Sequence, residues 1–124
     1  MPEKILVIED NEQNRILMRQ ILTHHGYEAL EATDGLTGLE MARAHLPALI
    51  LLDIQMPVMN GFAVIRELRN DPELRKIKAI AVTSFGMSDR ERALQAGFDE
   101  YVTKPIDTRK FPELVKQVLS RVQP

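Results

Sequence analysis

Five consecutive residues, Leu49-Ile50-Leu51-Leu52-Asp53, limit what this chain can fold into more than any other stretch. Four branched aliphatics in a row offer water no polar face, so they read as a strand covered on both sides. Pro47 bounds it before, and Met56-Pro57 with Asn60-Gly61 bound it after. Strands of this kind belong to parallel α/β sheets, whose ligands gather at the carboxyl edge. Burying the aliphatics therefore delivers Asp53 to the edge where chemistry takes place.

The same pattern occurs earlier in the chain. Lys4-Ile5-Leu6-Val7-Ile8-Glu9 is a second buried-strand run, and it too ends in acid, at Glu9-Asp10. From Asn11 to His25, Leu17, Met18, Ile21 and Leu22 recur at helical spacing, with Gly26 as the stop. Tyr27 to Ala32 reads as a weaker, more exposed strand. A helix then starts at Thr33-Asp34-Gly35 and runs through His45, with Leu36, Leu39, Ala42 and Leu46 on one side and Pro47 ending it. Phe62, Ile65 and Leu68 mark a third helix that fades at Asn70-Asp71-Pro72, and Ala79 to Thr83 is a fourth strand. Ser88-Asp89-Arg90-Glu91 has the form of a capping box and opens a short helix closed by Gly97. Tyr101-Val102-Thr103 is a short fifth strand ending at Lys104-Pro105. The last helix carries Phe111, Leu114, Val115, Val118, Leu119 and Val122 on one stripe.

About five strands alternating with about five helices predict an α/β fold, a doubly wound parallel sheet with right-handed crossovers. Alternation does not give strand order. In the flavodoxin-like order 2-1-3-4-5 the first and third strands are neighbours, roughly 4.8 Å apart, and Glu9, Asp10 and Asp53 meet at one edge.

Composition narrows the function. A chain of 124 residues, 44% hydrophobic, suits one domain spanning 1–124 with no effector domain. Sixteen Lys and Arg against 18 Asp and Glu, a net charge of −2, give no basic field for nucleic acid or an anionic membrane. The absence of cysteine removes disulfides, thiolate metal sites and thiol nucleophiles. No apolar run approaches the roughly 20 residues of a membrane span, and Met1-Pro2-Glu3-Lys4 leads into a strand rather than a signal peptide. These features predict a soluble, cytoplasmic protein.

Two carboxylates about 5 Å apart repel by roughly 3 kcal/mol at an effective dielectric near 20, and a third adds to that. A lone acid at a strand end is explained as a solvated loop start; three together call for a proton or a cation. Oxygen ligands without His or Cys favour a hard ion, Mg²⁺ above all. Thr83 closes the neighbouring fourth strand, where a short hydroxyl reaches a group on Asp53. Lys104 closes the fifth, roughly 9.6 Å away, where only a long cationic side chain bridges the gap. Taken singly, Thr83 is an ordinary strand residue and Lys104 an edge gatekeeper. Together they form a setting that stabilises an anion carried on Asp53, such as an acyl phosphate.

At these residues the chain resembles the receiver domain of two-component response regulators. Glu9-Asp10 matches the family's acidic pair, Asp53 its phosphoacceptor, and Met56-Pro57 with Gly61 the loop that follows. Thr83-Ser84 matches its switch hydroxyl and small neighbour, Tyr101 its switch aromatic, and Lys104-Pro105 its lysine and the proline after it. The match covers essentially the whole chain and is similar to the small stand-alone type. It implies that Asp53 takes a phosphoryl group from a histidine kinase or a histidine phosphotransfer protein. Mg²⁺ is then held by Asp10, Asp53 and the Gln55 carbonyl, with Glu9 acting through water. The resemblance further implies that Ser84 and Lys104 contact the phosphate, that Thr83 turns towards it, and that Tyr101 rotates into the space vacated. This changes the face of the fourth helix, fifth strand and fifth helix for a downstream protein target. The expected state is a monomer or a weak phosphorylation-dependent dimer, and the Lys104-Pro105 bond is expected to be cis.

Weaker signals have ordinary explanations. His24-His25 and His45 fit helix carboxyl ends through the dipole. Methionines are core filler or loop residues by default, with Met18 and Met87 left open as partner-facing. Asn14 and Arg15 fall where the family docks its phosphodonor, and a solvated helix face explains them equally. A flavin binder needs a phosphate cradle where Glu9-Asp10-Asn11-Glu12 repels anions. A haloacid-dehalogenase-type hydrolase needs a second acid where this chain has Gln55. A receiver module of a hybrid histidine kinase or a longer regulator is the nearest alternative.

Overall fold

The computed structural model describes residues 2–84 and 88–121, apart from the side chains of Ser88 and Asp89. Strands and helices alternate as β1 (Lys4–Ile8), α1 (Glu12–His24), β2 (Glu28–Ala32), α2 (Gly35–His45), β3 (Leu49–Asp53), α3 (Gly61–Asn70), β4 (Lys78–Thr83), α4 (Ser88–Ala96), β5 (Glu100–Thr103) and α5 (Lys110–Ser120). The five strands pair in parallel in the order β2-β1-β3-β4-β5, the flavodoxin-like order that brings the ends of β1 and β3 side by side.

Both faces of the sheet are covered, which is why its central strands are apolar throughout. On one face Leu6, Ile8, Ile50, Leu52, Ala79 and Ala81 meet Leu39 and Ala42 of α2, Val64, Ile65 and Leu68 of α3, and Ala93 of α4. On the other, Ile5, Val7, Leu49, Leu51, Ile80 and Val82 meet Met18 and Leu22 of α1 and Phe111, Val115 and Val118 of α5. The period-2 alternation of a strand assigns each residue its side. The starts of α1, α2 and α3 are fixed by Asx residues, whose side-chain oxygen satisfies an amide left over in the first turn. Asn11 accepts from Asn14 N at 2.9 Å, Asp34 from Thr37 N at 2.8 Å and Asn60 from Ala63 N at 3.0 Å. Among the described residues no helix is long and apolar enough to cross a membrane.

The structure corrects two expectations. Leu36 and Leu46, predicted on the inner face of α2, are 61% and 55% exposed. The helix rests instead on Gly35, Gly38, Leu39 and Ala42. A Cβ at Gly38 would meet Ile8 Cδ1 at 2.4 Å, so α2 is rolled onto its smallest residues and its larger ones turn outward. Leu46 lies past the last helical turn, in the left-handed region at φ 46°. Met18, left open as partner-facing, is a core residue at 1% exposure. The expectations for Met87, for the Ser88 cap and for Val122 fall outside the described residues.

Arg69 ties the sheet's far side together. Its Nε donates to Gly97 O at 2.8 Å, its Nη1 to Arg75 O and Ile77 O at 2.9 and 2.6 Å, and its Nη2 lies 3.2 Å from Asp99 Oδ2. The same Asp99 oxygen accepts Ala79 N at 2.8 Å. One guanidinium thus joins α3, the turn after it, the end of α4 and the start of β4.

Gly61 connects this frame to the edge that carries Asp53. A Cβ there would lie 2.6 Å from Ile54 Cα and 2.9 Å from Asp53 O, both backbone atoms that cannot rotate aside. Gly61→Ala is expected to destabilise the protein by about 1–3 kcal/mol, the range for overpacking. Urea denaturation checks this as a lower midpoint at unchanged slope.

Candidate functional site

Each side chain of the site sits where a parallel strand ends, so the sheet's register sets their spacing. Ile8 pairs with Leu52, Asp53 with Val82, and Thr83 with Thr103. Glu9 and Asp10 follow β1, Asp53 closes β3, Thr83 and Ser84 lie at the end of β4, and Lys104 follows β5. The structure therefore brings together Glu9, Asp10, Asp53 and Lys104, as expected.

Glu9 is fully buried and Asp53 is 2% exposed, whereas Asp10 faces solvent. One carboxylate oxygen from each of the three lies within 4.8 Å of the others. Lys104 Nζ stands 2.9 Å from Glu9 Oε1 and 3.3 Å from Asp53 Oδ2. The bridge from β5 to Asp53 was expected; the closer contact with Glu9, a further strand away, was not. Asp53 Oδ1 accepts the Gln55 amide at 2.9 Å, and Glu9 Oε2 accepts the Asn11 amide at 3.1 Å. The buried Glu9 Oε1 has the Lys104 ammonium as its ion-pair partner. Three clustered carboxylates, two of them buried against one ammonium, leave an excess of negative charge that fits a hard divalent cation or a proton.

The electrostatics follow from burial. Desolvation, a hydrogen bond to Asp53 and that neighbour's charge push the Glu9 carboxyl up to about 7 from 4.5, against the lowering pull of Lys104 and the Asn11 amide. For Lys104, burial pulls the ammonium down, but Glu9 and Asp53 outweigh it and its pKa is raised. The cluster thus holds its cation firmly while favouring a proton on Glu9.

Thr83 is fully buried at the end of β4 and its carbonyl accepts Lys104 N at 2.7 Å, while Ile54 N donates to Val82 O at 3.1 Å. These bonds lock the loops that carry Asp53 and Lys104 to one strand. Tyr101 is half-buried on the α2-α3-α4 side of the sheet, opposite Ala81 in register. The Lys104-Pro105 peptide is cis. Sequence reasoning missed the role of the Gln55 side chain. Its Oε1 accepts both Ser84 N at 2.8 Å and Ser84 Oγ at 2.6 Å, a pairing that depends on rotamers and leaves no trace in spacing.

The sequence matches the response regulator receiver domain family over residues 5–116. The chain belongs to that family. It is 44% identical over 120 residues to the polar-differentiation response regulator DivK of Brucella anthropi, covering 96% of this chain and 98% of the relative. DivK of Brucella ovis is 43% identical over the same length and coverage. These relatives are thus single domains of this size, the stand-alone type anticipated above. The receiver domain of a sensor histidine kinase from Pseudomonas aeruginosa, whose structure has a magnesium ion coordinated in the active-site cleft, is 29% identical with a TM-score of 0.89, covering 98% of this chain and 100% of that one. The chemotaxis protein CheY4 of Vibrio cholerae shares the fold at 23% identity and TM-score 0.89, over 95% and 99% of the two chains. As a response regulator receiver, the chain is a signalling protein of two-component systems.

The raised pKa of Glu9 sets a pH dependence in divalent-free buffer. The native state keeps a proton that the unfolded chain releases near 4.5, so its stabilising effect is full below that pH and is lost as pH climbs through about 7. The rise of Lys104 acts only above its ordinary 10.5, outside this window. Wild-type stability is expected to fall between pH 4.5 and 7.5 relative to Glu9→Gln, as measured by urea midpoints across that range.

Proposed function

We propose that this receiver accepts a phosphoryl group on Asp53 from a phosphohistidine of a histidine kinase or a histidine phosphotransfer protein, and passes the change to a downstream protein target. The observation that carries the reading is a buried acid at a strand end, with Glu9 and Asp10 oxygens within 4.8 Å and the Lys104 ammonium at 3.3 Å. An Asp53 carboxylate oxygen attacks phosphorus, the P–N bond to the partner's imidazole breaks, and the neutral imidazole leaves with a proton on its ring. Lys104 stays paired with the growing negative charge, and the Ser84 amide is released from Gln55 to donate to a phosphoryl oxygen.

Mg²⁺ would be held by Asp10, Asp53 and the Gln55 carbonyl, with Glu9 acting through water. When bound it supplies the positive charge that lets phosphoryl oxygens approach three carboxylates. The oxygen-only donor set and the excess of three carboxylates over one ammonium support this choice of ion. Output follows from Thr83 turning towards the phosphorylated Asp53, with Tyr101 rotating into the space it leaves. That motion alters the face formed by α4, β5 and α5.

Two substitutions test the reading. Asp53→Asn is expected to abolish labelling by acetyl phosphate or by a phosphorylated kinase, read on phosphate-affinity gels; full labelling of the variant would sink it. Lys104→Ala is expected to stay folded and to retain labelling, but to lose the phosphorylation-dependent gain in target binding by at least tenfold. Titration of labelled protein against its target checks this, and an unchanged gain would count against the role given to Lys104.

A further inference from the structure

We propose that Arg15 is a positioning residue of the metal site, holding the Glu9-Asp10 peptide in place for Mg²⁺; this rests on the reading that the acid cluster binds that ion. The ladder of β1 with both neighbours ends at Ile8, and the amide of Glu9 still bonds to Ala32 O at 3.0 Å. Beyond that point the backbone leaves the β1 ladder. Arg15 takes over there: its Nη1 donates to Glu9 O at 3.1 Å, and its Nε lies 3.3 Å from Glu31 Oε1 on β2. The other Glu31 oxygen is held by Arg19 Nη1 at 3.2 Å. The Arg15 side chain is only 16% exposed, against 41% for Arg19, so it is turned into the protein rather than presented for docking.

This contact has the chemistry of an outer support. A planar guanidinium can donate to the carbonyl from one edge while it pairs as an ion with Glu31 along another, which an ammonium cannot reproduce with the same rigidity. Glu31 balances the charge, so a second cation close to the acids does not repel the metal. Asn11 adds to the tether from the same helix start, its amide on Glu9 Oε2 and its carbonyl accepting Arg15 N at 2.9 Å. Asp10, exposed and attached to the peptide that Arg15 holds, is the acid most dependent on this support.

The test is Mg²⁺ affinity, measured calorimetrically with the metal alone on the full chain, with thermal unfolding in EDTA alongside. Loss of such an outer contact typically costs 10–100-fold in metal affinity. Arg15→Met and Arg15→Lys are each expected to weaken Mg²⁺ binding by about tenfold or more, while Arg19→Ala stays within twofold of wild type. Weak binding by Arg15→Lys would show that geometry rather than charge is at stake, and this variant decides the matter if Arg15→Met fails to fold. Binding within twofold by the folded Arg15 variants, or an equal loss in Arg19→Ala, would overturn the proposal. Absence of Mg²⁺ binding in the wild type would instead sink the metal reading on which it rests.

Discussion

The repulsion among Glu9, Asp10 and Asp53 is the constraint on which the rest of this structure turns. Nothing about three acids favours their meeting; the aliphatics beside them force it. Full burial of each branched side chain contributes about 1.5–3 kcal/mol, so Leu49 to Leu52 alone supply roughly 6–12 kcal/mol, against about 3 kcal/mol for one carboxylate pair. The apolar term wins, and Asp53 is carried to a site 2% exposed to solvent. The penalty is relieved locally by the Lys104 ammonium, 2.9 Å from Glu9 and 3.3 Å from Asp53, and by the proton that burial favours on Glu9.

That balance explains why the site is supported largely by backbone amides, with the Arg15 guanidinium on the Glu9 carbonyl beside them. The Gln55 amide on Asp53, the Asn11 amide on Glu9 and the Lys104 amide on the Thr83 carbonyl each fix a loop directly to the sheet or to an acid. Gly61 lets α3 approach the end of β3 to within van der Waals contact. Charge concentrated by a rigid frame in this way responds strongly to a small change in charge, because the low-dielectric surroundings do not screen it.

Much of this was legible in the sequence, for a specific reason. A run of four aliphatics is compatible with a buried strand in few registers, so the ends of β1 and β3, and with them Glu9, Asp10 and Asp53, followed from pattern. The face of α2 did not follow. Glycine and alanine carry no hydrophobic signal, yet Gly35, Gly38 and Ala42 are what the helix buries, since only small residues fit against Ile8 and Val64. Contacts that depend on rotamers were likewise hidden. Spacing placed Lys104 opposite Asp53 but not Glu9, and placed Arg15 on a helix face without showing that its guanidinium reaches the Glu9 carbonyl.

The groups given to an incoming phosphoryl group already have partners within the protein. Lys104 is shared between two carboxylates, and the Ser84 amide and hydroxyl both rest on Gln55 Oε1. On the proposed reading, phosphorylation exchanges partners rather than filling vacancies. The Gln55 carboxamide must leave Ser84 before a phosphoryl oxygen can use that amide, and Lys104 must divide itself anew among Glu9, Asp53 and the phosphate. An exchange of this kind has a small net free energy, because each bond made replaces one broken. A small net difference keeps both states accessible and lets partner binding decide between them. The tight internal pairing of the site is therefore a condition for switching and not an obstacle to it.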